Sequence, residues 1–239
     1  MKRWKSRQRP ARRYVSWWRL VVILAAISAT VTGGAILHHH YRATSSASSE
    51  ALDRLPIVDR STEDPTYRRA AFGRSWADLD GDGCSTRDEV LLDTVVRTQP
   101  YQVQRQGRCR ADMVAGTWTD LYTGQSMTWS NLKDISQAEA IPLDHIVSLA
   151  GSYRYGAKNW TPQDRIEFAN DELNLTPTTA AINRTKSDGD PANWTPPAPG
   201  RCAYAIRYIA VKVRWSLPVD RDEKGALQKL LRSCPEQQR

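Results

Sequence analysis

Phenylalanine is almost missing from this chain of 239 residues: two Phe stand against nine Trp and nine Tyr. The aromatic bulk therefore lies in rings that carry a polar tip, which favours half-buried positions with the tip turned to a partner. Cysteine is scarce too, and no pair has C-x-x-C spacing, which speaks against a structural zinc site. No internal repeat recurs, which sets aside solenoids and propellers. Acidic residues are absent from the first 40 positions.

That last absence explains the net charge of +8. Lys2, Arg3, Lys5, Arg7, Arg9, Arg12, Arg13 and Arg19 supply the whole excess, and the remaining 26 basic residues match 26 acidic ones. A basic tail followed by an apolar run is a signature of membrane topology rather than of DNA binding. The run Leu20–Leu37, LVVILAAISATVTGGAIL, is eighteen residues without a charge, and a spanning helix needs about 17 to 25. The expected organisation is a basic cytoplasmic tail over 1–19, a transmembrane signal anchor (or signal peptide) over 20–37, a polar linker over 38–55 and a folded domain over 56–239. The positive-inside rule places that domain outside the cytoplasmic membrane, or in the medium if the signal is cleaved. His38, His39 and His40 read as a juxtamembrane polar cluster.

All four cysteines, Cys84, Cys109, Cys202 and Cys234, follow the apolar run, as disulfides on the exported side require. Three pairings exist; Cys84–Cys109 and Cys202–Cys234 are favoured because each closes a loop within one region of sequence. The pattern predicts an α+β domain. A weakly helical stretch over 65–76 precedes a helix capped by Ser85 or Thr86 and running to Val96. Short strands over 112–129 meet at a Tyr-Thr-Gly turn. A strand over Ala140–Ile146 ends in Asp144-His145. Helices follow over 147–156 and 162–170, the second with Pro162 at its first position. Then come a short strand over 173–176, a helix over 178–185, a Pro-rich loop and two helices over 202–215 and 221–232.

His145 is the one histidine outside the 38–40 triplet. It lies in EAIPLDHIVSLA, followed by Asn174 in ANDELNLTP and, nine residues later, Asn183 in AAINRTKSD. This order resembles the HNH nucleases, whose ββα-metal core holds one metal between a β-hairpin and a helix. The resemblance implies metal ligation by Asp144 and Asn183, water activation by His145 and orientation of His145 by Asn174, with Lys186 matching a basic residue that often follows the helix ligand; Arg184 and Lys186 form a local basic patch that can position substrate phosphate. A wider likeness spans residues 75–234 through DLDGDGCSTRDEV, GTWTDLYTG, FANDELNL, INRTKSDGDPANWTPP and CAYAIRYIAVKVRWSL. It is to exported HNH proteins related to the C-terminal domain of GmrSD-type restriction endonucleases; Ser148 stands where relatives often carry proline. The implied fold is a ββα-metal core with a helical insert and flanking helices, disulfide-bonded.

The chemistry agrees with the likeness. A histidine of near-neutral pKa takes a proton from water at physiological pH. Asp and Asn oxygens suit Mg²⁺ or Mn²⁺ better than Zn²⁺. The expected substrate is nucleic acid, DNA as the preferred guess, with Arg154, Lys158 and Arg165 of the insert as further phosphate contacts. A second motif, Asp78, Asp80, Asp82, Thr86 and Glu89 around Gly83, matches an EF-hand calcium loop. It opens a competing expectation: a non-catalytic, calcium-stabilised envelope module that binds a partner through Trp and Tyr.

Overall fold

The computed structural model describes residues 45–61 and 63–235. The basic tail, the Leu20–Leu37 span and the histidine triplet lie outside the described residues. Among the described residues no helix is long and apolar enough to cross a membrane.

Residues 45–54 form a helix, α1. This replaces the expected linker: Leu52 is fully enclosed and Leu55 nearly so, both in the main core. Strand β1 (Ile57–Val58) pairs in parallel with β7 (Val219–Asp220), joining two distant parts of the chain. The stretch expected to be weakly helical contributes only a single 3-10 turn, Arg69–Phe72.

Helix α2 spans Thr86–Thr94, and the Ser85 hydroxyl caps it by accepting the Asp88 N–H. A three-stranded antiparallel meander follows: β2 (Gln102–Gln106), β3 (Cys109–Thr119) and β4 (Ser126–Trp129). Helix α2 packs on β3. Trp118, fully buried, donates its indole N–H to the Leu91 carbonyl at 2.8 Å, and so satisfies its one polar atom inside an apolar cluster. Strand β2 was not expected; its five residues are all exposed, so no alternation marks it.

Helix α3 (Ile135–Ala140) takes the first residue of the expected 140–146 strand, leaving β5 as Leu143–His145. Pro142, which lacks an N–H, separates the two. Strand β5 pairs antiparallel with β6 (Leu175–Pro177), with Asp144 opposite Thr176 and His145 opposite Leu175. Between them lie α4 (Leu149–Arg154) and α5 (Pro162–Ala169), the latter opened by a capping box between Thr161 and Asp164. The strand expected over 173–176 begins instead as a 3-10 turn, Glu172–Asn174. Helix α6 (Ala180–Lys186) follows β6 directly.

Helices α7 (Arg201–Arg214) and α8 (Arg221–Leu231) close the fold. A fully enclosed Lys212–Glu223 ion pair of 3.0 Å links them, with Tyr208 also donating to Glu223 and the Pro218 carbonyl accepting from Lys212. Both expected disulfides, Cys84–Cys109 and Cys202–Cys234, are present.

Two apolar clusters result. Leu143 and Leu175 belong to the one around Trp118, whereas Ile146 and Val147 belong to the one around Phe168 and Tyr204. Strand β5 therefore straddles the seam between two cores. Its polar pair, Asp144 and His145, is fixed from both sides.

Candidate active site

Adjacent residues of a strand point to opposite faces, and β5 obeys this. Asp144 faces Tyr122 and α6. Its Oδ2 accepts the Tyr122 hydroxyl and lies 2.9 Å from the Lys186 ammonium. Burial and the neighbouring Asp144 push the Tyr122 phenol well above its ordinary pKa, so it stays a donor. Tyr122 is held edge-on by Trp194 and Tyr204. Gly200 approaches so closely that a Cβ there would lie 2.0 Å from the Tyr122 carbonyl oxygen.

His145 faces the other way. Its Nε2 is 2.8 Å from the Ala169 carbonyl. A carbonyl only accepts, so Nε2 carries the proton and Nδ1 keeps its lone pair. Burial pushes the imidazole down to about 4, against the pull of the Ala169 carbonyl and of Asp144. The ring is therefore neutral at physiological pH. The Trp76 indole lies nearly parallel to it, 12° between planes and 6.2 Å between centroids.

Asn174 sits where the resemblance predicted an orienting residue, but it acts on the backbone and not on the ring. Its side-chain oxygen accepts the Val147 N–H at 2.8 Å, its side-chain nitrogen donates to the Val147 carbonyl at 3.1 Å, and its own carbonyl accepts the Ile146 N–H. The two residues after His145 are thus clamped to the start of β6.

Helix α6 carries Asn183 and Lys186 one turn apart, and Lys186 reaches β5. Lys186 was expected at a substrate phosphate. The structure instead encloses its side chain completely, with Nζ on Asp144 and, at 2.8 Å, on the His145 carbonyl. Arg184 is exposed, as phosphate contact requires. Of the insert's basic residues, Arg154 pairs with Asp188, Lys158 with Asp64, and Arg165 is spent on the carbonyls of Ala71 and Trp160.

Asp and Asn side-chain oxygens are the donor type that a hard divalent cation takes. Among the described residues Asp144 Oδ1 carries no hydrogen bond, and the Asn183 side chain, half-exposed, carries none either. Two oxygen donors leave most positions to water and substrate, the usual arrangement for Mg²⁺. The Lys186 ammonium already neutralises the other Asp144 oxygen, so attraction for a free cation is weak.

Sequence reasoning missed the surroundings of His145. A cavity of about 400 Å³ opens beside it, lined by Arg69, Phe72, Arg74, Trp76, Leu149 and Ala169 among others. No periodicity announces this wall, and the motifs that carry the resemblance begin at its last residues.

Carboxylate oxygens of Asp78, Asp80 and Asp82 lie within 4.8 Å of one another. Burial, then the charges of Asp80, Glu172, Asp82 and Asp78, lift Glu89 to about 7. Thr86 is turned away, its hydroxyl donating to the Ala77 carbonyl at 2.6 Å.

An uncharacterized secreted protein of the fungus Arthroderma benhamiae is 34% identical over 171 residues, which cover 70% of this chain and 76% of that protein. No solved structure matches. Residues 85–230, which carry Asp144, His145, Asn174 and Asn183, match the C-terminal domain of the GmrSD restriction endonucleases, and the chain belongs to that nuclease family.

Proposed function

We propose that this chain is a metal-dependent endonuclease of the HNH, or ββα-metal, type, hydrolysing phosphodiester bonds in nucleic acid, DNA foremost, outside the cytoplasmic membrane. The observation that carries the reading is the run β5–insert–β6–α6. It sets a neutral His145 and an Asp144 side by side, and brings Lys186 back to them on the helix that also carries Asn183. The secreted description of the fungal relative supports export.

In this reading Nδ1 of His145 takes the proton from the attacking water. Burial leaves His145 less basic than the near-neutral value expected of a general base, and an arriving phosphodiester anion would raise it toward that value. Nε2–H on Ala169 holds the ring, and Asn174 holds the backbone behind it. Asp144 and Asn183 hold the cation. Bound there, Mg²⁺ or Mn²⁺ supplies charge neutralisation to the phosphate and the leaving oxygen. Lys186 fixes Asp144 and the end of β5 relative to α6, a positioning role. The loop of Asp78, Asp80, Asp82 and Glu89 is a separate, stabilising Ca²⁺ site in the same proposal.

The test is cleavage of plasmid DNA and of RNA by the oxidised full-length protein with Mg²⁺, Mn²⁺ or EDTA, wild type against His145→Ala. The reading expects cleavage that needs both metal and His145. Folded protein inactive with every metal, or cleavage that survives His145→Ala, sinks it.

A further inference from the structure

Seven of the ten residues lining the cavity at His145 come from one continuous stretch, Arg69–Trp76. That stretch precedes residue 85, where the family match begins. It is nevertheless fastened to the family domain. Phe72 is buried in the main core beside Phe168. Arg165 donates to the Ala71 carbonyl at 3.0 Å, Asn170 accepts the Ala77 N–H at 2.9 Å, and Thr86 holds the Ala77 carbonyl. The wall is a built part of the site.

Its chemistry is specific. Arg69 and Arg74 are both exposed, and neither is ion-paired to a carboxylate among the described residues. Two guanidinium forks thus border the cavity of His145, in a part of the chain where basic and acidic residues otherwise balance. Planar forks of this kind match phosphate oxygens. Trp76 has a φ of 59°, a left-handed conformation that bulky side chains avoid. Such strain persists where surrounding structure imposes it, and it concentrates at binding sites. Here the indole lies parallel to His145 and packs against the Trp118 cluster. A cavity of about 400 Å³ has the size of a small-molecule pocket and suits one nucleotide; a duplex, whose stacked bases show no free face, could meet it only through its backbone.

We infer that Arg69, Arg74 and Trp76 form a receptor for an unpaired nucleic-acid strand, one phosphate on the two guanidiniums and one base against the indole. The inference rests on the nuclease reading and narrows its substrate to single-stranded or locally melted nucleic acid. Stacking on an aromatic face tolerates any base, so little sequence preference is expected.

The experiment is binding rather than cleavage. Full-length His145→Ala protein is titrated into a fluorescein-labelled 12-nucleotide single strand and into the same sequence as duplex, and anisotropy is read at two salt concentrations. The single strand is expected to bind at least tenfold tighter. Adding Trp76→Ala lowers that affinity about tenfold or more, the lower part of the range for one stacked base, while Trp76→Phe keeps most of it. Adding Arg74→Gln, an exposed change that spares the core, weakens the single strand and flattens its salt dependence by about one phosphate contact. Thermal melts establish that each variant is folded. Equal or tighter binding of duplex overturns the inference, as does single-strand affinity unmoved by Arg74→Gln and by a folded Trp76 variant. Strand binding with these dependences but no wild-type cleavage removes the nuclease reading and leaves the receptor. His145-dependent cleavage without them does the reverse.

Discussion

Lys186 and Asp144 form an ion pair of 2.9 Å in which the lysine side chain is wholly enclosed and the aspartate nearly so. Removing one partner of such a pair leaves an uncompensated buried charge. Lys186→Met should therefore cost about 3–5 kcal/mol of stability, measured by denaturant unfolding. The double variant Asp144→Asn, Lys186→Met should recover much of that loss without recovering activity. A single variant as stable as wild type would show that the pair is solvated.

Asn174 is expected to matter for rate beyond its cost in stability. Asn174→Ala strips partners from the buried Val147 N–H and C=O, at about 1–3 kcal/mol per unsatisfied group. With the chain behind His145 released, kcat should fall while KM changes little. Steady-state kinetics on a folded variant check this; an unchanged kcat would reduce Asn174 to a packing residue.

Acid sensitivity should trace to Asp220. Its burial raises the carboxyl, but hydrogen bonds from Tyr155 and the Glu223 N–H, with the nearby Arg60, outweigh this and lower it below the ordinary aspartate value. A depressed folded pKa gives stability that is complete above the unfolded value and is lost as pH falls through the folded one. Asp220→Asn should thus lower stability at neutral pH and flatten its decline below about pH 4. Urea midpoints across pH 2.5–7 (on the order of the range where carboxylates titrate) read both.

The disulfides close loops with separations of 25 and 32 residues. The chain-entropy relation assigns each about 3–4 kcal/mol. The Cys202→Ser, Cys234→Ser double variant should melt well below wild type, and a reducing agent should lower the wild-type melting temperature but not further lower a variant lacking all four cysteines. A wild-type melting temperature indifferent to reductant would contradict this.

For the acidic loop, millimolar Ca²⁺ should raise the melting temperature of wild type, and Asp80→Ala should abolish the rise. Cleavage in Mg²⁺ should survive that substitution, since the loop is separate from Asp144. Loss of Mg²⁺-dependent cleavage would join the two sites.

How much of this was legible in the sequence depends on the kind of signal. Helix α5 announced itself through Thr161-Pro162, and α2 through Ser85, because a cap is a local device. The cysteine pairing followed from proximity along the chain. Strand β2 did not show, since a fully exposed ribbon has no buried face to impose alternation. Residues 45–54 read as a spacer because Ser and Ala dominate them, yet Leu52 and Leu55 suffice to dock the helix. At the site, motif order singled out Asp144, His145, Asn174 and Asn183 as candidates. The direction of Lys186 into the interior and the wall from Arg69 to Trp76 are products of tertiary packing, which spacing along the chain does not encode.

Helix α1 bears on maturation. Leu52 is sealed in the main core, so a peptidase that cut beyond it would release a domain with an open hole and a compromised fold. If the expected signal is cleaved, the cut must lie upstream of that anchor. A mature N-terminus found by mass spectrometry should therefore always precede Leu52, and the docked helix sets the limit of safe trimming.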